Sequence, residues 1–106
     1  MAPTTAVTGK VVNYSEPKWQ PLLDFARECI DDFMWMHEVE LEDGTHLQAY
    51  KHIWTRRYIH LTGDGRAFVY VDRDRYEHEP DARLWLQLVV RPRPGCEPEW
   101  HVPPYP

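Results

Sequence analysis

Two glycine turns constrain this chain more than any other feature. Glu42-Asp43-Gly44 is flanked by residues that alternate in polarity, and Gly63-Asp64-Gly65 by two short apolar and aromatic runs. Alternation with period two sends successive side chains to opposite faces of a strand. A glycine in the left-handed region then closes two such strands into a hairpin. The apolar pattern also selects the register. A three-residue loop with Gly44 left-handed sets Val39 opposite Leu47, Leu41 opposite Thr45 and Glu40 opposite His46. A two-residue Asp-Gly turn would pair Leu41 with His46, so the longer loop is the better fit. The same device around Gly63-Asp64-Gly65 sets Leu61 opposite Ala67 and Ile59 opposite Val69. On the other face His60 meets Phe68, and Tyr58 meets Tyr70. Both faces of this hairpin carry apolar or aromatic groups. One is expected to cover a helix. The ring-rich face is either covered by something else or exposed for use.

The helix that such a sheet needs lies before it. Trp19, Leu22, Leu23, Ala26, Ile30 and Phe33 recur at helical spacing, with Phe25 and Cys29 alongside. Ser15-Glu16-Pro17 reads as the start, with Ser15 as the cap. Residues 72–81 carry five acids and two arginines and read as a loop. Residues 82–90 fit a short helix begun by Pro80-Asp81, against a fifth strand suggested by alternating Leu84, Leu86, Leu88 and Val90. The expected fold class is therefore α+β. An N-terminal amphipathic helix packs on a four-strand antiparallel meander, followed by a short helix or fifth strand and a Pro-rich tail. The expected division is a flexible arm over 1–14, a single domain over 15–90, and a tail over 91–106, where six of sixteen residues are proline.

Scarce residues exclude several function classes. Serine occurs once, at the expected cap, which leaves no free serine nucleophile. The five glycines form neither a Walker loop nor a dinucleotide fingerprint, and 106 residues are too few for a nucleotide-binding fold of the usual kind. Cys29 and Cys96 belong to no C-x-x-C pair, which suits a reducing, cytoplasmic compartment. Cys29 is expected to pack rather than react. No apolar run approaches membrane-spanning length. The six histidines show no ligand spacing, so neither a metal nor another cofactor is expected.

Charge is unevenly placed along a chain of net charge −5. Residues 31–43 hold six acids and no lysine or arginine, whereas residues 45–63 hold no acid at all. That second stretch is the candidate binding site. Lys51, His52, Trp54, Arg56, Arg57, Tyr58 and His60 lie in it, joined across the hairpin by Phe68 and Tyr70. Guanidinium forks and ring faces suit anions, stacked bases or a protein partner.

The run from Phe33 to Tyr70 resembles small proteins of unassigned activity encoded in actinobacterial genomes, some near plasmid or phage functions. The likeness rests on Phe33-Met34-Trp35-Met36, Glu42-Asp43-Gly44-Thr45, Tyr50-Lys51-His52, Thr55-Arg56-Arg57-Tyr58 and Gly65-Arg66-Ala67-Phe68. It implies a cytoplasmic bacterial protein and carries over no catalytic residue. The functional expectation is a small non-enzymatic binding or regulatory module that engages a protein partner or a second copy of itself. The alternative is nucleic-acid or anion binding through the basic aromatic stretch 46–61. No membrane association is expected.

Overall fold

The computed structural model describes residues 6–91. The Pro-rich segment beyond Arg91 lies outside the described residues. The elements run β1 (Val7–Asn13), α1 (Gln20–Ala26), a 3-10 turn (Arg27–Asp32), β2 (Phe33–Leu41), β3 (His46–His52), β4 (Tyr58–Leu61), β5 (Ala67–Asp72), β6 (Arg75–Glu79) and α2 (Ala82–Val90). All six strands are antiparallel to their neighbours, and β1 pairs with both β2 and β6. The sheet is thus a closed six-strand barrel. This corrects the expected helix on a four-strand meander.

Both expected hairpin registers are present where the strands pair. Val39 faces Leu47 and Glu40 faces His46, with Gly44 at φ 89°. Leu61 faces Ala67 and His60 faces Phe68, with Gly65 at φ 88°. The error lay in what flanks these hairpins. The expected arm supplies β1, because Val7, Gly9 and Val11 point inward between exposed Thr8, Lys10 and Val12. A glycine in the middle of that alternation hides it from an apolar count. The expected acidic loop supplies β6, where Tyr76 is the one buried residue. Its turn is built by Arg73 and Asp74, at φ 48° and 61°. Two left-handed residues between paired Asp72 and Arg75 make a tight two-residue hairpin without glycine.

The N-terminal helix is also shorter than its stripe suggests. Pro21 lies in its first turn, and no side chain caps it. Ser15 is not the cap; its amide, like that of Glu16, donates to Asn13 Oδ1. After Ala26 the chain tightens into the 3-10 turn, and Phe33 opens β2. Asp31 and Asp32 sit where a helix C-terminus would disfavour acids, so extension to Phe33 has little support. The helical reading of 82–90 matches the structure: Asp81 accepts from Leu84 N at 3.0 Å and starts α2.

Directly opposed residues share a sheet face, so the register sorts the side chains. Val11, Val39, Leu47, Phe68 and Tyr76 fall on the inner face and pack together. Tyr50, Ile59, Leu61 and Ala67 fall on the outer face, against Leu22 and Ala26 of α1 and Leu86 and Val89 of α2. β3 and β4 are therefore buried on both faces. That is why the second hairpin is apolar on both sides.

Six strands enclose a narrow interior, and at Gly9 there is no room for a side chain. A Cβ built there would lie 2.7 Å from Val39 Cγ1, 2.8 Å from Leu41 Cδ2 and 3.2 Å from Tyr76 Cε1. Gly9→Ala is expected to cost about 1–3 kcal/mol as overpacking of a filled core. Urea unfolding of the variant measures this, and an unchanged midpoint would show that β1 is not wedged at this point.

Candidate functional site

A cleft of about 480 Å³ opens in one end of the barrel. Its walls come from five strands and α2. Val11, His37, Tyr58, His60, Tyr70 and Tyr76 are the principal lining groups, with Val69 and Trp85 at the side and Arg57 and Asp74 at the rim. The opening has a local cause. β4 and β5 are bridged at two pairs only, His60–Phe68 and Leu61–Ala67. The expected pairs Ile59–Val69 and Tyr58–Tyr70 do not form, and the strands splay.

The backbone freed by this splay is satisfied from α2. His52 N donates to Arg57 O at 2.8 Å, so in the next pair, Lys51–Tyr58, the backbone polar groups point away from each other. The Tyr58 carbonyl therefore points toward β5, and Trp85 Nε1 donates to it at 3.3 Å. An indole takes the place of a ladder bond, which keeps the edge from costing an unsatisfied carbonyl. Arg57 fastens the other end of the helix by donating to the Leu88 carbonyl, and Thr55 Oγ1 donates to Val89 O at 2.6 Å.

Inside, the cleft is walled by rings. Tyr58 and His60 stack with centroids 5.7 Å apart. His60 meets Tyr76 edge-on at 5.2 Å, and Tyr76 meets Tyr70 edge-on at 5.3 Å. Tyr70 is 47% exposed, so the aromatic wall reaches solvent. His60 is buried, and its Nδ1 has no hydrogen-bond partner among the described residues. Burial, with the neighbouring His37 ring, drives the His60 imidazole down to about 3. Burial also lowers His37. Burial, then the Asp74 carboxylate and Tyr70, pushes the Tyr76 phenol up to about 12. At neutral pH the interior of the cleft is thus uncharged, and its charges stand at the rim.

The sequence-predicted site is divided by the fold. Arg57, Tyr58, His60 and Tyr70 line the cleft. Lys51 stands beside them, with Nζ 5.9 Å from the Tyr58 ring centroid. Phe68 is buried in the inner core. His52 is buried, packs edge-on against Phe33 at 5.1 Å, and accepts from Thr55 N at 3.1 Å. It organises the 53–56 turn. Half-buried Trp54 and exposed Arg56, left-handed at φ 67°, belong to that turn. Tyr76, Trp85, His37 and Asp74 were missed. Three of these lie on β2, the β5–β6 turn or β6, and only barrel closure brings them to β4.

A second polar cluster lies on the outer face. Glu38 alternates with apolar Val39 and Leu41, yet it is only 4% exposed. It receives Lys18 Nζ at 2.9 Å, Asn13 Nδ2 at 3.1 Å and His46 Nδ1 at 2.7 Å. Burial alone would raise its pKa; these three hydrogen bonds outweigh that and hold it at about 2. With its carboxylate so fully engaged, the cluster ties β1 and the α1 approach to β2 and β3. Cys29 packs half-buried, and burial followed by Glu28 and Asp32 raises its thiol, which argues against a reactive thiolate. No group of three metal-ligating side chains occurs among the described residues. Nor is any helix among them long and apolar enough to cross a membrane. No family model, curated protein or solved structure matches the chain.

Acid is expected to destabilise the fold in two stages. His60 is depressed in the folded state, so the unfolded chain takes up the proton first, and stability falls as pH drops from about 6.5 toward 3. Glu38 is also depressed, so its contribution is complete above its ordinary value near 4.5 and is lost as pH falls toward 2. Urea unfolding of the wild type at pH 7 and pH 5 should show the first stage, and His60→Phe should flatten it. Equal slopes in the two proteins would exclude His60 as its source.

Proposed function

We propose that the protein is a non-enzymatic binding module that takes a small organic ligand into the cleft between β4, β6 and α2. The observation that carries this reading is an aromatic cleft left open inside an otherwise filled barrel. Small-molecule sites are concave, mostly apolar and of ~300–1,000 Å³, with few polar groups. The cleft has that size and character. Its titratable groups are poorly suited to catalysis, because burial weakens both histidines as bases and raises the Tyr76 phenol. The rings instead supply contact area, and the rim charges supply orientation. The broader expectation of partner binding through the whole basic stretch has less support, because His52 and Phe68 are buried within the fold.

Nuclear magnetic resonance with a panel of small neutral aromatic fragments tests this. The Trp85 indole N–H is the natural reporter, since it bonds the Tyr58 carbonyl at the cleft edge. Binding fragments should shift that signal together with the Tyr58, His60 and Tyr70 amides. Tyr58→Ala should weaken them about tenfold or more, as loss of a principal ring contact. Shifts confined to other surfaces, or no binder in the panel or among cationic counterparts of its members, would refute the reading.

A further inference from the structure

We propose that the ligand of this cleft is a small solute bearing a trimethylated ammonium group, held against the Tyr58, Tyr70 and Tyr76 rings and facing the Asp74 carboxylate. The inference rests on the ligand-binding reading and specifies its chemistry.

Three observations converge on a cation. First, the walls are electron-rich: three tyrosines and Trp85 line one cleft. Ring faces attract cations, and they compete best against water for methylated ammonium groups, which hydrate weakly. Second, the protein's own cations stay at the cleft margin, where Lys51 Nζ lies 5.9 Å from the Tyr58 ring centroid without lining the cleft. Desolvation keeps His60 and His37 unprotonated. Arg57 stays at the α2 rim with its guanidinium on the Leu88 carbonyl. After burial, the Asp74 carboxylate and then Tyr70 raise the Tyr76 phenol. Third, Asp74 is held in place by the backbone and not by an ion pair. Its carbonyl accepts from Gly9 N at 2.8 Å, and its amide donates to the Tyr70 hydroxyl at 3.3 Å. Neighbouring Asp72 and Arg75 pair with each other. Among the described residues no ion pair engages the Asp74 carboxylate.

The backbone at this point supports the assignment. Asp74 lies in the left-handed region at φ 61°, a conformation that costs a non-glycine residue. Glycine or asparagine would form the same turn more readily. An aspartate there places a negative charge at the cleft rim at some expense to the turn.

The test uses choline and its neutral carbon isostere, 3,3-dimethylbutan-1-ol, with the full chain. The two share shape and differ in charge. Choline is expected to shift the Trp85 indole and Tyr70 amide signals saturably and to bind about tenfold or more tighter than the isostere. Asp74→Asn keeps a residue that tolerates the turn and removes the charge. It should reduce choline binding severalfold and leave the isostere unaffected. Equal binding of choline and isostere would overturn the cation assignment, as would choline binding that is unchanged in Asp74→Asn. Neutral fragments that bind where choline does not would overturn it while sparing the ligand-binding reading. Failure of every probe would overturn both.

Discussion

Closure of β1 onto both β2 and β6 is the constraint on which the rest of the structure depends. It joins Val7 to Tyr76 and Gly9 to Leu41. A six-strand ring has little room inside, and Gly9 is where the room runs out. Once the ring is closed, the inner face of every strand becomes core, and the ring-rich face of the second hairpin has no route to solvent except at the barrel mouth. Without closure the same hairpins would present Tyr58, His60, Phe68 and Tyr70 as an open aromatic surface.

Closure does not extend evenly around the barrel. The β4–β5 seam is short, and α2 compensates for it through one indole and one guanidinium. The helix thus both covers the outer core through Leu86 and Val89 and stabilises a gap in the wall. The gap is where the interior meets solvent, and the side chains that line it are large, uncharged and ringed. A barrel that zipped fully here would gain two ladder pairs and lose its cleft.

The two hairpins were legible because their evidence is local. Turn glycines and alternating polarity act over about ten residues, and they select a register without reference to the rest of the chain. β6 was illegible for an equally physical reason. A strand in which only Tyr76 is buried looks like a charged loop, and its turn uses Arg73 and Asp74 where glycine is the usual signal. The burial of Glu38 was not legible either, because alternation with Val39 and Leu41 points a carboxylate to solvent, and α1 with the chain leading into it covers that face. The candidate site was legible in half. Its β4 residues stood out as basic and aromatic, whereas the residues that complete the cleft come from distant strands.

The amino-acid sequence by itself determined the hairpin registers and the aspartate that starts α2. Each depends on residue type and short-range spacing, which the chain carries before it folds. Tertiary structure alone decided that the sheet closes, that Glu38 is buried beneath three donors, and that Tyr58 and Tyr76 share a cleft with Asp74. Those outcomes depend on which strand reaches the open edges of the sheet. That choice is made by packing between segments some seventy residues apart, such as Val7 and Tyr76.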